Sequence, residues 1–267
     1  AEKRAEVAAW LAGKSADAVV IAALDSIAWL LNIRGKDVSR TPVALAFVIA
    51  HKDGSVDLFT APEKLTPAVR AHLGDAVRCQ PRDSFAEALK AMTGQTVVVD
   101  PQSCVAAIFN ALEAGGAGIV EARDPTVLPR AVKNPTEIAG TTAAHVRDGA
   151  ALTRFLAWFD SEAPKGGLDE LGAAERLRQF RAETNSLEDL SFDTISAAGP
   201  NAALPHYRVS EETNLPITHD SIYLVDSGGQ YRDGTTDVTR TLIVGTPSPA
   251  MPARFTRVLT GHLALPR

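Results

Sequence analysis

Residues 223–241 read YLVDSGGQYRDGTTDVTRT. Two segments flank a Gly- and Asp-rich centre and read as two returning β-strands. Asp226 and Asp237 stand on them, eleven residues apart. Carboxylates brought together in a sheet repel one another unless a cation sits between them, and divalent metal ions are the usual partner. A tight two-residue turn at Asp233-Gly234 pairs Arg232 with Thr235, Asp226 with Thr241 and Asp237 with Gln230. That register leaves the carboxylates four residues out of step. A wider connection, or bulges at Gly228 and Gly229, is therefore expected to bring them face to face. For an isolated Asp beside Gly, plain turn chemistry is the competing reading.

Upstream, GPNAALPHYR places His206 and Tyr207 after two Pro-containing turns, where a histidine is well placed to face a cleft. Further back, Asn134-Pro135-Thr136-Glu137 marks a helix start: a capping Asn, Pro at the first helical position and a capping-box Glu. Leu152, Phe155, Leu156 and Phe159 recur at helical spacing, so this helix buries one face. His145, seven residues before Leu152, is expected at the edge of that core rather than as a ligand. A second helix is expected near residues 168–181 and a strand at 191–199.

Residues 1–131 alternate differently. AVVIAAL reads as a buried strand, 44–51 and 56–60 as a hairpin around Lys52-Asp53-Gly54-Ser55, and 96–100 as a further strand between two helices. That rhythm predicts a compact α/β domain. The change in texture near residue 131 predicts two domains, 1–131 and 132–267. Asp25, Trp29, Arg34 and Asp37 are read as fixing local packing, with an interface or cleft rim as the alternative.

Composition narrows the function classes. With 45% hydrophobic and 22% charged residues the chain is of ordinary globular type. A net charge of -5 argues against nucleic acid or an anionic membrane as the main partner. The two cysteines, Cys79 and Cys104, lack metal-ligand spacing and are read as small apolar residues of a reduced, cytoplasmic protein. Gly13-Lys14-Ser15 fails as a phosphate loop because Ala8 stands where the first Gly is needed. No dinucleotide fingerprint, nucleophile elbow or H-E-x-x-H helix is present.

Beyond these residues, the chain resembles the aminopeptidase P (Xaa-Pro aminopeptidase) group of pita-bread metallopeptidases, in its large three-domain form. DSIAWLLNIRG at 25–35, KNPTEIAGTTAAHVRDGAAL at 133–152, SFDTISAAGPN at 191–201, His206-Tyr207 and the 223–241 hairpin carry the resemblance, which covers nearly the whole chain. It implies a creatinase-N-like α/β middle domain followed by a partial α+β pita-bread catalytic domain. It also implies that Asp226 and Asp237 are ligands of a dinuclear Mn²⁺ site, with Asp237 bridging, and that His206 contacts substrate near the scissile bond. The reaction implied is release of the N-terminal residue from Xaa-Pro peptides through a metal-activated hydroxide, by a homodimer built through the catalytic domain. In that family a further histidine and two glutamates complete the site, and they are expected past residue 267. The chain is accordingly expected to be incomplete and inactive as it stands. The alternative from another class is a non-catalytic pita-bread module that binds peptides or partner proteins.

Overall fold

The run Ala18-Val19-Val20-Ile21 has no polar residue, as a strand covered on both faces requires, and it forms an inner strand of the first unit. The computed structural model describes residues 1–265, which divide into two compact units, the first being Ala1–Lys133 and the second starting at Asn134. The first unit runs α1 (Glu2–Gly13), β1 (Ala18–Ile21), α2 (Leu24–Leu31), β2 (Ala46–His51), β3 (Val56–Thr60), α3 (Pro67–Leu73), β4 (Val77–Pro81), α4 (Phe85–Lys90), β5 (Thr96–Val99), α5 (Ala106–Ala114), β6 (Gly118–Glu121) and α6 (Val127–Ala131). Its six-stranded sheet has the order β4-β3-β2-β1-β5-β6.

Successive side chains of a strand point to opposite faces, and each face here has its own core. Val19, Ile21, Val48 and Leu58 pack with Val7, Leu11, Ile27 and Leu73 on one side. Ala18, Val20, Ile49 and Phe59 pack with Phe85, Leu89, Ile108 and Leu112 on the other. The expected hairpin forms, with β2 and β3 antiparallel and Val48 opposite Leu58. Cys104 is buried and Cys79 half-buried, and burial pushes both thiols up from their ordinary range.

The second unit opens with α7 (Pro135–Glu162). Its capping box is complete: the Asn134 side chain accepts from the Glu137 N–H at 2.8 Å, and Glu137 Oε2 accepts from the Asn134 N–H at 2.9 Å. Then follow α8 (Glu170–Ala182), β7 (Asp189–Leu190), β8 (Ile195–Ala198), β9 (Ser221–Ser227), β10 (Gly229–Tyr231), β11 (Gly234–Thr235), β12 (Val238–Val244) and α9 (Ala250–Ala264). Two three-stranded sheets result, β12-β9-β8 and β11-β10-β7.

Phe155 and Phe159 of α7 and Leu177 and Phe180 of α8 pack onto Tyr223, Val225 and Val244. The Phe159 and Tyr223 rings stack with centroids 4.7 Å apart. His145 lies outside this core; it is exposed, and its Nδ1 meets the Thr141 carbonyl at 2.8 Å. A helix drifts ~20° per seven residues, so the seven-residue spacing overstated its inward direction. Ala144 and Asp148 take the buried positions instead. Among the described residues, no helix is long and apolar enough to cross a membrane.

Candidate metal centre

The strands β9 and β12 pair antiparallel, with Asp226 opposite Thr239 and Ser227 opposite Val238. Beyond them β10 and β11 pair with Gln230 opposite Thr235 and Tyr231 opposite Gly234. One register runs through both ladders, so Gly228 lies across from Asp237. The turn is therefore Arg232-Asp233, one residue earlier than Asp233-Gly234. Asp237 falls two residues along the strand from the partner of Asp226, on the same face, and the carboxylates meet diagonally. No slipped register is needed.

Gly228 makes that approach feasible. A Cβ there would lie 1.9 Å from the Thr236 carbonyl oxygen and 2.2 Å from Ser191 Oγ. With only hydrogen at this position, the two chains close up where the hairpin passes from one sheet to the other. The N–H of Gly229 donates to Thr236 Oγ1 at 2.9 Å, and the N–H of Thr236 donates to the Gly229 carbonyl at 3.0 Å.

The turn is seated on α7. Arg147 grips Asp233 through two bonds, Nη2 to Oδ2 at 2.7 Å and Nη1 to Oδ1 at 3.1 Å. Gly140 leaves room for the Asp233 carbonyl, which a Cβ would approach to 2.5 Å. The residue after Arg147 on α7, Asp148, accepts from Tyr231 Oη at 2.6 Å and from Arg181 Nε and Nη2 at 2.8 and 3.1 Å. Burial pushes the Asp148 carboxyl up, but the Arg181 hydrogen bond and charge, with donors from Tyr231 and Thr236, outweigh it and hold the group below the usual carboxylate range.

The aspartate pair has the opposite electrostatics. Loss of hydration, then the facing Asp226 charge and a hydrogen bond with it, push the Asp237 carboxyl up from its ordinary value. Asp237 is solvent-exposed, and Asp226 is half-buried with its Oδ1 shut away from solvent and without a hydrogen-bond partner. Two hard oxygen ligands in repulsion, one with an unpartnered buried oxygen, fit a divalent cation of the Mg²⁺ or Mn²⁺ type. The donor set is partial: among the described residues no group of three or more His, Cys, Asp or Glu side chains converges as a metal site.

His206 is exposed, with its backbone in the left-handed region at φ 54°. It does not join the two aspartates in such a cluster. Its loop is tied down by its neighbour Tyr207, whose Oη donates to Glu170 Oε2 at 2.8 Å. Glu170 is fully buried and also accepts from the N–H of Ala198 at 2.6 Å, the side-chain amide of Asn201 at 3.0 Å and the N–H of Leu215 at 3.1 Å.

Asp148, Arg181 and Glu170 are structural partners of the site that the sequence reading passed over. A signal existed for two of them. Asp148 lies in register with the buried Ala144, Leu152 and Phe155, and Arg181 with Leu177, so each is a charge on an apolar stripe.

Comparison with known proteins points the same way as this geometry. Residues 1–137 match the family model of the creatinase/prolidase N-terminal domain, and residues 139–266 that of metallopeptidase family M24. A probable Xaa-Pro aminopeptidase P of Aspergillus clavatus is 42% identical over 274 residues, covering 99% of this chain and 42% of the relative. Xaa-Pro aminopeptidase 1 of Dictyostelium discoideum is 40% identical over 270 residues, with 99% and 42% covered. The crystal structure of X-prolyl aminopeptidase from Caenorhabditis elegans, a cytosolic enzyme with a di-nuclear active site, matches with a TM-score of 0.84 at 32% identity, covering 93% of this chain and 42% of that one. The creatinase-N-like and pita-bread folds expected from sequence are thus present, and the chain spans 42% of the length of these relatives.

Proposed function

The chain belongs to the creatinase/prolidase N-terminal domain family, joined here to metallopeptidase family M24, and on that premise we propose that the protein is a metalloaminopeptidase acting on peptides with proline second. The observation that carries the reading is the diagonal Asp226–Asp237 pair with its unpartnered Oδ1. These two residues would be among the ligands of a divalent metal site, for which we propose Mn²⁺. When bound, such a metal supplies an activated water and polarises the scissile carbonyl.

The remaining roles fall to this chain's own side chains. His206 would donate an N–H to the scissile carbonyl oxygen as negative charge grows there. Tyr207, bonded to buried Glu170, keeps that loop in place. We assign the protein to the cytoplasm, the location named for the Caenorhabditis elegans enzyme, and, from the family resemblance alone, to a homodimer formed through the second unit.

Two carboxylates alone hold Mn²⁺ weakly, so residues 1–267 by themselves are expected to release no N-terminal residue from an Xaa-Pro peptide. The test is Mn²⁺ titration of the chain, following the EPR signal of the free ion. Saturable binding that disappears in Asp226→Ala and in Asp237→Ala supports the metal assignment; binding unchanged in either variant overturns it. Turnover of an Xaa-Pro tripeptide by the same chain, abolished by Asp237→Ala, would overturn the expected inactivity.

The partial ligand set favours a second reading, a non-catalytic pita-bread module that binds peptides. Tight binding of an Xaa-Pro peptide without Mn²⁺, unaffected by Asp237→Ala, would select it.

A further inference from the structure

We propose that the buried Asp148–Arg181 pair is a positioning device for the ligand Asp237, acting through Tyr231 and the strand β10 that holds Thr236; the inference rests on the metal reading above.

The pair is fully enclosed, with side-chain exposures of 3% for Asp148 and 0% for Arg181. Burial of an ion pair is expensive, and well-packed apolar residues in its place are often as stable or more so. Arg181 even keeps one buried nitrogen, Nη1, without a partner. Stability alone gives little reason for such an arrangement, so the targets of its bonds are the informative part.

Those targets lie at the bend of the hairpin. Asp148 accepts from the Tyr231 hydroxyl on β10, the strand whose first residue, Gly229, holds Thr236, the residue immediately before Asp237. Every polar group of Thr236 is committed. Its N–H bonds the Gly229 carbonyl at 3.0 Å, its hydroxyl oxygen accepts from the Gly229 N–H at 2.9 Å, and its carbonyl accepts from Ser191 Oγ at 2.9 Å. Asp237 itself is exposed, with like charge as its neighbour. An exposed carboxylate pushed away by Asp226 stays beside it because the preceding residue cannot move. An apolar filler for Asp148 and Arg181 would preserve the core while releasing Tyr231 and, with it, the strand that holds Thr236. Loss of a partner that orients a ligand typically costs about 10–100-fold in metal affinity.

The deciding experiment replaces the pair with apolar residues of similar bulk, Asp148→Leu with Arg181→Met. It measures the thermal midpoint without metal and the Mn²⁺ affinity by EPR, alongside Asp226→Ala and Asp237→Ala. The expected result is an unchanged or higher midpoint, Mn²⁺ bound about tenfold more weakly, and an altered EPR line shape of the bound ion. A purely packing role would leave affinity and line shape at wild-type values, and that outcome overturns the inference while leaving the metal reading intact. Wild-type protein without saturable Mn²⁺ uptake overturns both. Should the double variant fail to fold, Tyr231→Phe keeps the ion pair and removes one tie. It is expected to weaken Mn²⁺ binding by about threefold, and wild-type affinity in that variant overturns the inference.

Discussion

Asp57 in the first unit and Asp226 in the second occupy the same kind of place, an antiparallel strand with a diagonal neighbour on the partner. Their surroundings are opposite. Asp57 sits across from Ile49, and the diagonal neighbour His51 brings Nε2 to 2.7 Å of its carboxylate. Arg78, directly opposite on β4, adds bonds of 2.6 and 2.9 Å. Burial pushes the Asp57 carboxyl up, and the hydrogen bonds from Arg78 and His51 overcome it and leave it low. At Asp226 the diagonal neighbour is another aspartate, and Asp237 is pushed up. Asp148 is a third case, deeply buried yet matched by Arg181. Asp57 and Asp148 each draw a cation from the chain itself; the Asp226–Asp237 pair has none, which is what motivates the proposed metal site there.

The sharpest way to break this comparison is to strand a matched carboxylate. Arg181→Met alone leaves Asp148 buried and uncompensated, and is expected to destabilise the protein by about 3–5 kcal/mol in urea unfolding. A loss under about 1 kcal/mol would mean that the pair is not the enclosed, mutually dependent unit described above.

A smaller effect should follow pH. The Asp148 carboxyl is held below its unfolded value of about 3.9, so its contribution is complete above that value and is lost as pH falls through the folded one. Urea midpoints taken from about pH 5 to pH 3 should therefore drop more steeply for wild type than for the Asp148→Leu, Arg181→Met protein. Equal slopes would assign the acid sensitivity to other carboxylates.

The smallest effects distinguish the two hairpins by sign. Asp57→Asn weakens a half-exposed ion pair and should cost about 0.5–1 kcal/mol. Asp237→Asn, in metal-free protein, removes a cross-strand repulsion and should stabilise by a few tenths of a kcal/mol, roughly the lower end for such pairs after allowance for its exposure. Destabilisation by both substitutions, read by chemical denaturation in a chelator, would remove the contrast.

Several features were legible locally. The capping box at Asn134 depends on side chains three residues apart, and it forms as read. The apolar run at 18–21 announced a strand covered on both faces, and the sheet covers it. The register of the hairpin carrying Asp226 and Asp237 was not legible. Its Asp-Gly dipeptide favours a turn one residue later than the one observed, and the two central residues, Arg232 and Asp233, both avoid positive φ. The turn sits where it does because Arg147 and Gly140, some ninety positions earlier in the chain, hold Asp233.

The sequence by itself determined the ingredients: two carboxylates on returning strands, glycines between them, a capped amphipathic helix and the family they imply. Residue type and short spacing encode all of these, because each depends on neighbours within a turn or a strand. Tertiary structure alone decided that Asp226 and Asp237 meet diagonally rather than four residues out of step. It also decided that a buried ion pair stands behind them. Both follow from contacts between α7, α8 and the hairpin, at separations of 33 to 86 residues, where no local periodicity records which side chains will meet.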